Sequence, residues 1–277
     1  MTRPSTLITV APTGAETSKA DFPQLPTTLP ELVETAQRCE AAGAALVHVH
    51  IRDDEHLPTL DLGRLQDTVA ALRAETTLVV QLSTGGAVTD PYEDRLRVLE
   101  AAPESCSLTM GSVNFGDDVF MNPWGFVTEL YQGTQERRVV PEFELFDLGQ
   151  VAALHRLLDV HGLPFGGRVH CDLVMGVPGG MPGTADALVA AVQALPAAVT
   201  SWSATGVGRT TLAVALAALS KGGHLRVGME DVLSFAKGRP VQHNAELVER
   251  AAALAALAQR PAMTTAEARD LLQVRAA

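Results

Sequence analysis

The 277 residues, 47% of them hydrophobic, suffice for one large core or two small domains, and they contain no apolar run of about 18 residues that could span a membrane. A net charge of −11 disfavours binding to nucleic acid and to anionic membrane surfaces. The three cysteines are widely spaced and no secretory signal pattern precedes the first predicted strand. We therefore expect a cytoplasmic protein without a disulfide framework.

Eight short runs rich in Val, Leu, Ile and Thr alternate with stretches of helical period, which is typical of repeated βα units. The predicted strands are 6–11, 45–51, 77–83, 105–110, 139–146, 168–175, 198–205 and 225–229. The predicted helices between them include 29–42, 93–102, 150–161, 185–194 and 210–218. Eight units favour a closed (β/α)8 TIM barrel over an open sheet.

The C-terminal part is expected to complete this barrel. Residues 244–259 repeat Ala and Leu at helical spacing and would close the ring, and 264–272 is predicted to add a further C-terminal helix capped by Thr264 or Thr265. No linker or change in composition interrupts the chain. We therefore treat residues 1–277 as a single domain.

The ends of two predicted strands carry candidate metal ligands. His48 and His50 lie two residues apart, so both imidazoles lie on the same face of the second strand. The eighth strand leads into Glu230 and Asp231, and in a closed barrel the second and eighth strands both flank the first. His48, His50 and Glu230 can therefore converge as a catalytic zinc site, with three protein ligands and one open position.

Simpler interpretations are open for each motif. A His-x-His pair on a strand is more often structural or exposed than metal-bound, and Glu230 with Asp231 can instead cap a helix. Residues 83–86, Ser-Thr-Gly-Gly, can ring a carboxylate with hydroxyl and backbone donors or can form only a tight turn. Residues 206–209, Gly-Val-Gly-Arg, are a weak candidate for phosphate binding.

Seven motifs, in order along nearly the whole chain, resemble those of the β-keto acid cleavage enzyme family. They lie at 13–17, 47–52, 81–86, 114–118, 140–144, 176–180 and 226–231. The resemblance implies a (β/α)8 barrel that binds zinc through His48, His50 and Glu230. It also implies that Asp231 is the general base and that Arg226 keeps the Asp231 carboxylate ionised and oriented.

The resemblance further implies the reaction and its substrates. Family members transfer the acyl part of a β-keto acid to coenzyme A, with acetyl-CoA as co-substrate and acetoacetate as the other product, and they form homotetramers. Glu16 matches the acid that meets the ammonium group of 3-keto-5-aminohexanoate, so a cationic β-keto acid is expected. The residues expected to hold the substrate carboxylate are Ser83, Thr84, Gly85, Gly86 and Ser107, the last commonly Thr in the family.

Two other functions compete with this one. Amidohydrolase-type barrels also combine a His-x-His strand with an acid on the last strand, so a metal-dependent hydrolase is an alternative. Against it, the His-x-His lies on the second strand rather than the first, and no lysine ends a middle strand to bridge two metals. The other alternative is a ligand-binding barrel without catalytic activity, in which the histidines and Glu230 are structural.

Overall fold

The computed structural model describes residues 5–274, and it confirms the predicted (β/α)8 barrel. Its eight parallel strands follow one another around a closed ring in chain order. They are β1 Ile8–Val10, β2 Leu46–Val49, β3 Val79–Leu82, β4 Ser105–Thr109, β5 Val140–Leu145, β6 Val169–Met175, β7 Val199–Gly206 and β8 His224–Val227. The ring closes where β1 pairs with β2 on one side and with β8 on the other, so that Thr9 lies opposite both Leu46 and Arg226.

Helices alternate with the strands and surround them. They are α1 Leu29–Ala42, α2 Leu62–Glu75, α3 Tyr92–Arg97, α4 Trp124–Arg137, α5 Leu148–His161, α6 Ala185–Ala194, α7 Thr211–Ser220, α8 Asn244–Leu257 and α9 Thr265–Leu272. The predicted helix at 93–102 is shorter than expected, because α3 gives way to a 3-10 turn at Val98–Ala101 and the chain then turns at Ala102, where φ is 51°.

Helix caps explain why several helices begin or end at the residues that the sequence predicts. Thr28 accepts a hydrogen bond from the Glu31 backbone and forms a capping box with it, and Gly43 ends α1 in the left-handed region at φ 110°. Thr264 and Glu267 form a second capping box at the start of α9. These polar caps satisfy backbone groups that would otherwise be unpaired at the helix ends.

The additional C-terminal helix α9 closes the bottom of the barrel, at the N-terminal ends of the strands. Its Ala268 and Leu272 are buried in an apolar cluster with Leu46 and Val79. Arg269 of the same helix forms an ion pair with the buried Glu104. Because the bottom is sealed by apolar packing, access to the interior is left to the opposite end.

The loops that follow the strands form the rim of that opposite end. Three of them contain short antiparallel hairpins: Ile51–Arg52 with Pro58–Thr59, Val113–Phe115 with Asp118–Phe120, and Ser234–Ala236 with Arg239–Pro240. Within residues 5–274, the helices are all too short or too polar to cross a membrane.

Candidate active site

His48, His50 and Glu230 come together at the C-terminal end of the barrel. The Nε2 atoms of His48 and His50 lie 3.8 and 3.6 Å from Glu230 Oε1. One ligand atom from each residue lies within 4.8 Å of the others. Ligands bonded tetrahedrally to zinc at about 2.0–2.1 Å are roughly 3.3–3.4 Å apart, so a small inward movement of these side chains would enclose an ion.

A hydrogen bond fixes the orientation of His48. Its Nδ1 lies 2.6 Å from Gln81 Oε1, and Gln81 Nε2 in turn donates to Ser105 Oγ at 3.2 Å. Because an amide oxygen only accepts, the imidazole proton lies on Nδ1 and the lone pair of Nε2 faces Glu230. Burial also lowers the pKa of His48 to about 4, which keeps the ring neutral, as a metal ligand must be.

Arg226 lies buried in β8 and is surrounded by carboxylates. Its Nη1 donates to Glu144 at 3.0 Å, and its Nη2 donates to Glu230. Nε and Nη2 also reach the two oxygens of Asp231, at 3.3 and 3.2 Å. The guanidinium therefore sets the orientation of both carboxylates that follow β8.

Those two adjacent carboxylates differ in acidity. Burial alone would raise the pKa of Glu230, but Arg226 and the two histidines hold it well below its ordinary value. Burial raises the pKa of Asp231 to about 7, since Arg226 offsets only part of the desolvation. The role predicted for Arg226, to keep the Asp231 carboxylate ionised and oriented, stays a prediction.

Glu144 is a member of this cluster that the sequence reasoning did not single out. It lies on β5, accepts from Thr109 Oγ1 at 2.9 Å and binds Arg226 with its other oxygen. Burial raises its pKa. The signal in the sequence is the charge itself, because an acid in the middle of a fully buried strand needs a partner.

The cluster lines a cavity of about 490 Å³. The aromatic side chains of Phe115, Phe120 and Phe146 form an apolar part of its wall, and Phe115 contacts each of the other two edge to face. The residues at its exposed rim include Asp117 and Asp118 at the tip of a hairpin. The cavity thus combines a polar floor, an apolar wall and an acidic rim.

The predicted carboxylate-binding loop contributes part of this wall. Ser83, Gly85 and Gly86 line the cavity, and the Gly85 backbone N–H donates to Ser83 Oγ at 3.1 Å. Thr84 and Ser107 lie behind the wall, where Thr84 Oγ1 donates to the Ser107 carbonyl at 2.7 Å. Ser107 is thus placed to support the loop, and direct contact of Thr84 and Ser107 with a substrate stays a prediction.

A buried arginine holds that loop from outside, and sequence reasoning missed it. Arg95 Nε donates to the Thr84 carbonyl at 2.8 Å, and its Nη1 donates to the Met121 carbonyl at 2.8 Å. The guanidinium lies over the rings of Phe120 and Phe126, 4.8 and 4.4 Å from their centroids. An arginine near the start of a predicted surface helix gives no local sign of such contacts.

Glu16 reaches the same cavity on the loop after β1. Arg52 holds this loop, because its Nη2 donates to the carbonyls of Gly14 and Thr17 at 2.7 and 2.9 Å. A Cβ atom on Gly14 would lie 2.6 Å from Glu230 Cγ, so only glycine lets the loop pack this closely on Glu230. The exposed Glu16 side chain lines the outer part of the cavity.

Comparison with known proteins gives consistent matches over nearly the whole chain. A family model described as beta-keto acid cleavage enzyme matches residues 5–274. The chain is 36% identical over 270 residues to the 3-keto-5-aminohexanoate cleavage enzyme of Acetoanaerobium sticklandii, with coverage of 97% of this chain and 98% of that protein. It is 35% identical over 278 residues to the 3-oxoadipate:acetyl-CoA acetyltransferase of Cupriavidus necator, with coverage of 98% and 95%.

Solved structures show the same fold. The apo structure of ObcA matches with a TM-score of 0.80 at 21% sequence identity, over 91% of this chain and 66% of that chain. At this level of identity the match supports the barrel architecture, and it leaves the chemistry to be argued from the residues of this site.

Proposed function

The chain belongs to the β-keto acid cleavage enzyme family, whose named relatives are acetyl-CoA transferases and cleavage enzymes, and from that premise we propose a specific reaction for it. It cleaves a cationic β-keto acid such as 3-keto-5-aminohexanoate with acetyl-CoA, releasing acetoacetate and a new CoA thioester. A zinc ion is its cofactor, with His48, His50 and Glu230 as ligands. The observation that carries the proposal is the convergence of these three residues beside Asp231 in one cavity.

The residues fit the metal and the chemistry. Two imidazoles and one carboxylate form a common donor set for catalytic zinc, and Glu230 Oε2 is buried without a hydrogen-bond partner. A zinc ion bound there would act as a Lewis acid toward the ketone oxygen of the substrate. His48 is already oriented for this role by Gln81, which fixes its tautomer.

Asp231 is the proposed general base. Its raised pKa and its position next to Glu230 suit it to take the proton from C2 of the β-keto acid, while Arg226 holds its carboxylate in place. The C2 carbon then forms a bond to the acetyl carbon of acetyl-CoA, and the bond from that carbon to the CoA sulfur breaks. The released CoA thiolate attacks C3, the bond between C2 and C3 breaks, and C2 takes the proton back from Asp231. Acetoacetate and the new thioester then account for all the atoms.

Other residues of the cavity position the two ends of the substrate. Ser83 and the backbone of Gly85 and Gly86 would hold the substrate carboxylate near the polar floor. Glu16 would meet an ammonium group at the outer end, and the neighbouring acids of the hairpin tip reinforce its negative potential. A second substrate carboxylate, as in 3-oxoadipate, would meet repulsion at this rim.

A substrate comparison with Glu16→Gln tests this assignment. We expect kcat/KM for 3-keto-5-aminohexanoate to fall about tenfold, the size of one charged hydrogen bond of roughly 1.5 kcal/mol, while that for a neutral β-keto acid of similar length stays the same. Glu129→Gln is the matched control, because Glu129 is also exposed but lies on the outer helix α4. An equal loss with both substrates would contradict the role of Glu16.

The metal is tested separately. Protein purified without chelators should contain about one zinc per chain, the number a three-ligand catalytic site holds, and His48→Ala should lose both the zinc and the activity. Full activity and zinc content in His48→Ala would show that the metal lies elsewhere. Hydrolysis of an ester or amide without CoA would favour the metal-dependent hydrolase, and absence of zinc from the active protein would remove zinc from the mechanism.

We further propose that residues 1–277 act as one catalytic domain in a cytoplasmic homotetramer. Leu216 on α7 is 54% exposed, and such an apolar side chain suits a contact between subunits. Light scattering on the purified protein would measure the mass of the assembly, and the mass of a single chain would contradict this proposal.

A further inference from the structure

A second cavity, of about 780 Å³, adjoins the first. The two share Thr17, Val207, Glu230 and Asp231, so the segment with the proposed metal ligand Glu230 and the proposed general base forms a wall common to both. The inner residues of the second cavity, Asp231 and Val232, are buried, and its outer residues are exposed. A ligand in this cavity would therefore reach from solvent to the proposed general base without passing the acidic rim of the first.

The outer part of the second cavity is basic. Arg209 and Lys237 line it and are exposed, and Arg250 lies half-buried beside them. No acid lines this cavity among the residues the structure describes, apart from Glu230 and Asp231 at its inner end. Since the chain has a net charge of −11, a group of cations without acids between them is a local exception that favours an anionic ligand.

Two of these cations are free of protein partners. Arg209 and Lys237 form no hydrogen bond or ion pair with any residue in the range 5–274. Lys237 lies at the turn of the hairpin after β8, where Gly238 has φ 76°. Both side chains can therefore bind an external anion without first breaking a contact within the protein.

The hairpin that carries Lys237 is held in place by other side chains. Arg250 donates to the Phe235 carbonyl, and its guanidinium lies 4.7 Å from the centroid of the Phe235 ring. Arg239 lies 4.2 Å from the same centroid. On the other wall, the Gly208 N–H donates to the Asp231 carbonyl at 2.8 Å, which ties the loop carrying Arg209 to the catalytic segment. Both walls are thus fixed before a ligand arrives.

We propose that this second cavity binds the coenzyme A part of acetyl-CoA. Coenzyme A joins an uncharged amide arm, which ends in the thiol, to a nucleotide that carries several phosphate charges. The phosphates bind Arg209 and Lys237 at the exposed end, and the arm follows the apolar side chains of Leu212, Val232 and Leu233 inward. The thioester then arrives beside Glu230 and Asp231. This inference rests on the proposed acetyl-CoA reaction.

The charges of the two cavities support separate entry of the two substrates. The rim of the first cavity carries Glu16, Asp117 and Asp118, which attract a cation and repel phosphate. Within the part of the chain that the structure describes, the charged side chains at the exposed end of the second are the cations Arg209 and Lys237. A cationic β-keto acid and a polyanionic thioester would thus approach the same carboxylates from different sides.

Calorimetric titration of the zinc-loaded protein with coenzyme A and with pantetheine tests the proposal. We expect Arg209→Ala/Lys237→Ala to weaken CoA binding by on the order of tenfold or more, as expected for lost charge-assisted contacts, and to raise the KM for acetyl-CoA without changing that for the β-keto acid. Pantetheine, which lacks the phosphates, should bind both proteins equally. Lys221→Ala is the matched control, because Lys221 is an exposed lysine just after α7 and outside this cavity.

The outcomes separate this inference from the proposed function. If the wild-type protein turns over a β-keto acid with acetyl-CoA but the double variant binds CoA as tightly as wild type, the cavity assignment is wrong and the reaction stands. If the wild-type protein neither binds CoA nor uses acetyl-CoA, the proposed function fails first. Equal weakening of pantetheine binding would show that the substitutions disturb the cavity itself rather than remove phosphate contacts, and that too would overturn the proposal.

Discussion

The hydrogen bond between Gln81 and His48 allows a sharp test of how the barrel orients a ligand of the proposed metal site. Gln81→Met keeps the length and approximate volume of the side chain but removes the oxygen that accepts from His48 Nδ1 at 2.6 Å. Without this acceptor the ring loses its fixed tautomer and orientation. We expect zinc affinity to fall about 10- to 100-fold, or roughly 1.4–2.7 kcal/mol, the range found for partners that orient metal-binding histidines.

The same substitution also affects stability, so the assay must separate the two effects. His48 Nδ1–H and Ser105 Oγ lose their partner inside the barrel, which should lower the free energy of unfolding by about 1–3 kcal/mol. Zinc affinity is measured on the folded apo protein by competition with a chromophoric chelator, and unfolding is measured in urea without metal. Because zinc affinity is measured on protein that is already folded, it reports the effect on the site, and the urea transition reports the effect on stability.

Gln150→Met is the matched control. Gln150 is also buried, and its amide accepts from the Phe146 N–H at 2.9 Å and donates to the Gly111 carbonyl at 3.0 Å, without contact to either histidine. This variant should lose comparable stability and keep the zinc affinity of the wild type. Wild-type affinity in Gln81→Met, or equal weakening in both variants, would refute the orienting role of Gln81.

Three further predictions follow from contacts around the site. Arg52→Met removes the donors that hold the loop carrying Glu16, so unfolding in urea should require about 2–4 kcal/mol less free energy, and an unchanged transition would contradict this. Gly228→Ala places a Cβ 1.8 Å from the Ala11 carbonyl oxygen and must move the backbone just before Glu230, the proposed zinc ligand. We expect loss of zinc affinity in the chelator assay, and retention would show that the backbone at Glu230 adapts. Burial lowers the pKa of His224 to about 3 against an ordinary value of 6.5, so the unfolded state binds a proton first and stability falls as pH falls from about 6.5 to 3. His224→Asn keeps an acceptor and should reduce this pH dependence of the urea midpoint, whereas an unchanged slope would assign it to other groups.

The architecture follows from local patterns in the sequence. Helices α1 and α6 begin and end where the sequence predicts, because Thr28 and Thr184 cap them and apolar periodicity continues to the last turn. The eight strands lie within or next to the predicted runs, since strands buried on both faces are continuous in apolar residues. Eight alternating βα units favour a closed barrel over an open sheet.

Only part of the candidate site can be predicted from the sequence. The side-chain period of two places His48 and His50 on one face, and ring closure brings Glu230 to them, so this cluster is accessible to reasoning from the sequence. Arg52 and Arg95 are not, because their partners are backbone carbonyls of loops distant in sequence. Nothing local distinguishes such an arginine from one on a solvated helix. Their roles depend on the folded path of the loops, which local propensity does not encode.

The pairing of β1 with β8 closes the ring of strands, and the proposed metal site lies across this closure. His48 and His50 come from one side of β1 and Glu230 from the other, so a divalent ion bound by all three would span the place where the cylinder closes. A ligand that binds only the native state stabilises it in proportion to RT ln(1 + [L]/Kd). On the proposed function, metal binding would therefore be linked to ring closure, because a chain without β8 presents two histidines and only the completed cylinder presents all three ligands.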